Sequence, residues 1–98
     1  MDIQPGQIAV LTGAGSGIGR ALALQLGAAG VHLALCDLSA AALAETQALC
    51  RASAPAGTRV STCVADVSQE AQVLAFRDAV LADHATDHQR RIVAGQQG

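Results

Sequence analysis

The stretch AVLTGAGSGIGRALA, residues 9–23, decides how the rest of the chain is read. The apolar run from Ile8 to Thr12 predicts a short strand buried on both faces. Gly13 to Gly19 is the loop after it. From there to about Ala29, apolar residues recur at helical spacing (Ile18, Leu22, Leu26, Ala29), and Gly30 fits a helix stop. Strand, glycine turn and helix in that order bring backbone N–H groups to the positive end of a helix dipole, where a pyrophosphate can approach them. Gly13 lets the chain turn sharply out of the strand. Gly17 removes the Cβ that would keep a phosphate away, and Gly19 lets the helix lie tight on the sheet. Thr12 and Ser16 are expected to brace the loop through their hydroxyls, with Ile18 offering a backbone N–H. The plain alternative is a connector without a ligand, but three glycines at this spacing would only destabilise one.

Downstream the pattern alternates. VHLALCD, residues 31–37, reads as a second buried strand ending at Asp37. Ser39 can cap a helix over residues 40–52, with Leu43 and Leu49 facing inward, and APAG at 54–57 breaks it. RVSTCVADV, residues 59–67, is the third strand, with Val60, Thr62 and Val64 on one face. Ser68 is expected to cap a third helix that carries Glu70 in its first turn, with Val73, Leu74, Phe76, Val80 and Leu81 along its apolar side. This order predicts an α/β fold: a Rossmann-like, partial doubly wound parallel sheet of three βα units with right-handed crossovers. Residues 1–98 form one domain, and the divergent tail at about 89–98 contains a candidate fourth strand from Arg91 to Ala94.

Asp37 stands twenty positions after Gly17, where an adenosine ribose would lie. A carboxylate there can accept both ribose hydroxyls and would repel a 2′-phosphate, which favours NAD over NADP. The competing reading is an aspartate that starts the next helix. Asp66 closes the third strand at the matching edge and can reach an adenine amino group, with Val67 beside the ring; Asp-Val-Ser makes an equally good helix start. The cofactor-binding set is therefore Gly13, Ser16, Gly17, Ile18, Gly19, Asp37, Leu38, Asp66 and Val67.

Thr12-Gly13-x-x-x-Gly17-x-Gly19, then Asp37, then Asp66-Val67, resembles the short-chain dehydrogenase/reductases from residue 5 to about 88. The other dinucleotide pattern, Gly-x-Gly-x-x-Gly, would need glycine at position 18, which is Ile18. The resemblance implies a bound NAD or NADP and hydride transfer between that coenzyme and an alcohol or carbonyl group. It also implies a fourth strand ending in Asn-Asn-Ala-Gly, a catalytic serine and a Tyr-x-x-x-Lys pair. The 98 residues contain no tyrosine, lysine or asparagine, so no catalytic residue carries over. The expectation is a truncated coenzyme-binding half (a fragment, splice product or shifted frame) that binds dinucleotide without turning over substrate. A second expectation is a non-catalytic module forming a homo- or hetero-oligomer through an open sheet edge, for example with a full-length relative.

Composition narrows the classes further. The net charge is −2, the six basic residues are arginines scattered apart from the pair Arg90 and Arg91, and Phe76 is the only aromatic side chain, so no nucleic-acid surface is expected. No apolar run approaches the roughly 18 residues that span a bilayer, and MDIQPGQ does not read as a signal peptide. A cytoplasmic protein without membrane contact is expected. Cys36, Cys50 and Cys63 are too dispersed for a metal or disulfide framework and read as buried reduced thiols. His84 and His88 are four apart, but HATDH lacks the glutamate that hydrolytic zinc sites place after the first histidine, so no metal is expected. They read as cations near a helix C-terminus, and His32 as a packed residue.

Overall fold

The computed structural model describes residues 6–84 and 92–95. Strands β1 (Ile8–Thr12), β2 (His32–Asp37), β3 (Val60–Val64) and β4 (Ile92–Gly95) alternate with helices α1 (Gly17–Ala28), α2 (Ala40–Ser53) and α3 (Glu70–Asp83). The sheet order is β3-β2-β1-β4, and every pairing is parallel. The predicted α/β class and all three βα units are present. The fourth strand forms one residue later than Arg91–Ala94, with Ile8 opposite Ile92 and Leu11 opposite Gly95. Arg91, His88 and the remainder of the tail lie outside the described residues.

β2 lies inside the sheet and is covered on both faces: Leu33, Ala34, Leu35 and Cys36 are fully buried. That is why its sequence is an unbroken apolar run rather than an alternating one. On one face, Leu11, Leu33, Leu35 and Val60 meet Ala23 and Leu26 of α1 and Leu43 and Cys50 of α2. Gly27 allows α1 to come close, since a Cβ there would stand 3.2 Å from Leu33 Cδ1. On the other face, Ala34, Cys36 and Ala65 meet Phe76 and Val80 of α3 among the described residues, with the partly buried Val10 and Cys63 packed against them. Each buried leucine contributes roughly 1.5–3 kcal/mol relative to exposure, and among the described residues all of them lie on the first face.

Several apolar positions depart from the expected pattern. Ile18 is 74% exposed and Ala29 is exposed, because α1 turns Gly19, Ala23, Leu26 and Gly27 inward instead. α2 buries Leu43, Thr46 and Cys50, which leaves Leu49 outside. Of the β3 set only Val60 is covered; Thr62 and Val64 are exposed where this edge strand runs past α2. Val73, Leu74 and Leu81 of α3 are also exposed, since the helix turns Phe76 and Val80 inward instead. Ser39 caps α2 as expected, its Oγ accepting the Ala42 N–H at 3.1 Å. Ser68 does not cap α3: Gln69 is the N-cap residue, without a side-chain bond, and Ser68 turns back to Asp66.

Candidate dinucleotide site

The carboxyl ends of the parallel strands carry the glycine turn and both predicted aspartates. Gly13 (φ 67°) and Gly17 (φ 60°) occupy the left-handed region that β-carbons disfavour. At Gly17 a Cβ would meet nothing within 4 Å. It would project into open space at the start of α1, where the Gly17 and Ile18 N–H groups have no intrahelical acceptor. Gly19 is needed for a different reason: a Cβ there would lie 2.1 Å from the Gly13 carbonyl oxygen. Helix and turn touch at that point. Ser16, Gly17 and Ile18 are exposed, so the mouth of the turn is open to a ligand.

Neither predicted brace holds the loop. Ser16 caps α1 through its extended backbone with no side-chain bond, and the Thr12 hydroxyl is buried without a hydrogen-bond partner among the described residues. Asp37 is the brace from β2. Its Oδ2 accepts the Gly15 N–H at 2.8 Å and its Oδ1 accepts the Ser39 N–H at 3.1 Å. The carboxylate therefore stands at the turn and also serves the start of α2, as the helix-start reading of its position expects. Each oxygen retains acceptor capacity beyond these single bonds.

A recess of about 160 Å³ opens beside the turn, lined by Thr12, Gly13, Asp37, Leu38, Asp66 and Val67 with Cys36 and Ala65 behind them. Complete small-molecule sites measure roughly 300–1,000 Å³, so this volume suits one end of a larger ligand. Leu38 and Val67 are exposed at its rim. Asp66 Oδ1 accepts from the Ser68 N–H at 2.9 Å and from the Ser68 hydroxyl at 2.6 Å. These bonds, the hydroxyl first, hold the Asp66 carboxyl below its ordinary range. The helix-start role is thus present at Asp66. Burial, then Cys63 and Asp37, push the Cys36 thiol up to about 11, so it stays protonated and inert at neutral pH.

Neither described histidine, His32 nor His84, reaches this edge. His32 lies at the opposite end of β2, where its Nδ1 accepts the Arg59 N–H at 3.0 Å, consistent with a packed residue. His84 ends α3 in a buried position, 3.0 Å from the Ser61 hydroxyl. Among the described residues no group of three His, Cys, Asp or Glu side chains is placed to hold a metal ion, and no helix is long and apolar enough to cross a membrane.

Residues 7–87 match the family described as short chain dehydrogenase. The chain belongs to that family. As a short-chain dehydrogenase chain it is 48% identical over 84 residues to SadH of Mycobacterium tuberculosis, covering 86% of this chain and 29% of that protein. It is 46% identical over 70 residues to levodione reductase of Leifsonia aquatica, covering 71% of this chain and 26% of the relative. Among solved structures, NAD+-bound xylitol dehydrogenase superposes with a TM-score of 0.78 at 33% identity, covering 86% of this chain and 31% of the other. A metagenomic short-chain oxidoreductase in complex with NADP gives 0.78 at 32% identity, covering 95% of this chain and 39% of the other. The short-chain dehydrogenase chain thus spans less than a third of the length of the curated relatives it matches.

Proposed function

We propose that this chain is the coenzyme-binding portion of a cytoplasmic short-chain dehydrogenase, and that it binds NAD in preference to NADP. The observation carrying this reading is the Asp37 carboxylate, held 2.8 Å from the Gly15 N–H at the mouth of the glycine turn and on the wall of the adjoining recess. The exposed turn at Ser16, Gly17 and Ile18 receives the pyrophosphate, Gly17 leaving room for it and α1 supplying its N–H groups and positive dipole end. Asp37 and Leu38 take the ribose end of the adenosine, and Asp66 and Val67 flank the adenine. Gly13 and Gly19 shape the turn. A second negative charge on the ribose would face Asp37, and that repulsion sets the preference.

The coenzyme supplies the hydride chemistry when bound; these residues bind and orient it. A short-chain dehydrogenase catalyses with serine, tyrosine and lysine, and the 98 residues include no tyrosine or lysine. The chain alone therefore binds dinucleotide without hydride transfer. Calorimetric titration with NAD and with NADP checks the reading. NAD should bind more tightly, and Asp37→Ala should bring the two affinities together. Equal affinity in the unaltered chain overturns the role of Asp37, and binding of neither overturns the cradle.

A second reading, a non-catalytic module that pairs with a longer member of the family, is favoured by one observation. Val73, Leu74 and Leu81 are exposed apolar side chains on α3, the helix that covers the second face of the sheet.

A further inference from the structure

Two charged side chains hold the Gly15 residue from opposite ends. Its N–H donates to Asp37 Oδ2 at 2.8 Å, and its carbonyl accepts from Arg20 Nη2. One residue earlier, the Ala14 carbonyl accepts from the Thr46 hydroxyl at 2.8 Å, and that same hydroxyl accepts from Arg20 Nε at 2.9 Å. Arg20 also reaches the Ala42 carbonyl at 3.3 Å, so α1, α2 and the turn share one network. Thr46 is fully buried, and Gly15 has no room for a side chain: a Cβ would stand 2.8 Å from both Asp37 Oδ2 and Ala42 Cβ.

The consequence follows from peptide planarity. In a trans peptide the C=O and the next N–H point in opposite directions. Holding the Ala14 carbonyl against Thr46 therefore aims the Gly15 N–H away from α2 and onto Asp37. Holding the Gly15 carbonyl against Arg20 aims the Ser16 N–H away from the guanidinium. The planar fork of arginine suits this task, because it serves several acceptors at fixed angles.

We infer that Arg20 and Thr46 are positioning residues for dinucleotide binding. They touch no ligand; they orient the Gly15 and Ser16 peptide planes and, through Gly15, the Asp37 carboxylate. This rests on the coenzyme-binding reading given above. The test compares Thr46→Val, Thr46→Ser, Arg20→Gln and Glu45→Gln in the full chain, with NAD and NADP titrations beside hydrogen exchange of the Gly15 amide. Loss of a hydrogen bond to a charged group corresponds to about a tenfold change in affinity. Thr46→Val and Arg20→Gln should each weaken NAD by about that factor and narrow the NAD-to-NADP ratio, which mere loosening of the fold would not move. Thr46→Ser should bind as the unaltered chain does. Glu45, which meets Arg20 from an exposed position, should be replaceable by glutamine without effect.

The two failures are separable. If the unaltered chain binds neither dinucleotide, the coenzyme reading falls. If it binds and Thr46→Val and Arg20→Gln match it in affinity and ratio, the positioning role falls alone. Exchange at Gly15 is independent of ligand. It should quicken in both variants while the β2 amides hold, and an unchanged Gly15 rate would overturn the inference. Should Thr46→Val fail to fold, Arg20→Gln carries the same comparison.

Discussion

Glycines that look alike in the sequence do different work, and substitution separates them. Gly19→Ala drives a methyl into the Gly13 carbonyl, a backbone obstacle that cannot rotate away. It should cost at or beyond the upper end of the roughly 1–3 kcal/mol typical of overpacking. Gly17→Ala meets no atom and carries only the strain of its φ of 60°, about 1–2 kcal/mol. It should therefore stay folded in urea titration while losing dinucleotide affinity, because its methyl would fill the space that the proposed site leaves for a phosphate. If both variants unfold together, or if folded Gly17→Ala binds NAD normally, the distinction is wrong. The glycine positions were legible from the sequence because φ preference and the absence of a side chain are local properties. The braces were not. Thr12 and Ser16 flank the turn in sequence but their side chains hold nothing among the described residues, whereas Arg20 and Thr46 reach the turn from two helices.

At the level of elements, the helix starts differ in how they are secured. Ser39 gives α2 a side-chain cap, and Ser39→Ala should lower stability by about 1 kcal/mol, read from the urea midpoint. α3 depends instead on the turn between Asp66 and Ser68. The Asp66 carboxyl is held below its ordinary value in the folded chain, so its contribution is present above the free-carboxyl range and is lost as pH falls through the lowered value. Amides at the start of α3 should lose exchange protection over that acid range in the unaltered chain. In Asp66→Asn this pH dependence should be absent. The edge strand β3 shows a further device. Gln47 and Arg51 of α2 donate to the Val60 carbonyl at 2.7 and 3.3 Å, covering part of an edge that another chain could otherwise join.

For the whole molecule, the imbalance between the two sheet faces matters most. α1 and α2 cover one face, while α3 covers the other with two buried side chains and leaves Val73, Leu74 and Leu81 outside. Sedimentation should show association that rises with concentration, and Leu74→Glu with Leu81→Glu should suppress it. As exposed substitutions these should change stability by no more than about 0.5 kcal/mol each. A chain that stays monomeric at high concentration removes the pairing reading. The sequence by itself determined the strand and helix order, the parallel sheet, the glycine turn and the placing of Asp37 at the end of β2. Periodicity, glycine conformation and the alternation of elements are written in neighbouring residues. Only the tertiary structure decided which apolar helix positions find cover, the register of β4 on β1, and the network that steadies the turn. The network depends on side chains meeting partners 22 to 32 positions away, as Asp37, Arg20 and Thr46 do, and the β4 register pairs residues as far apart as Ile8 and Ile92. No local pattern records an encounter that exists only once the elements have packed.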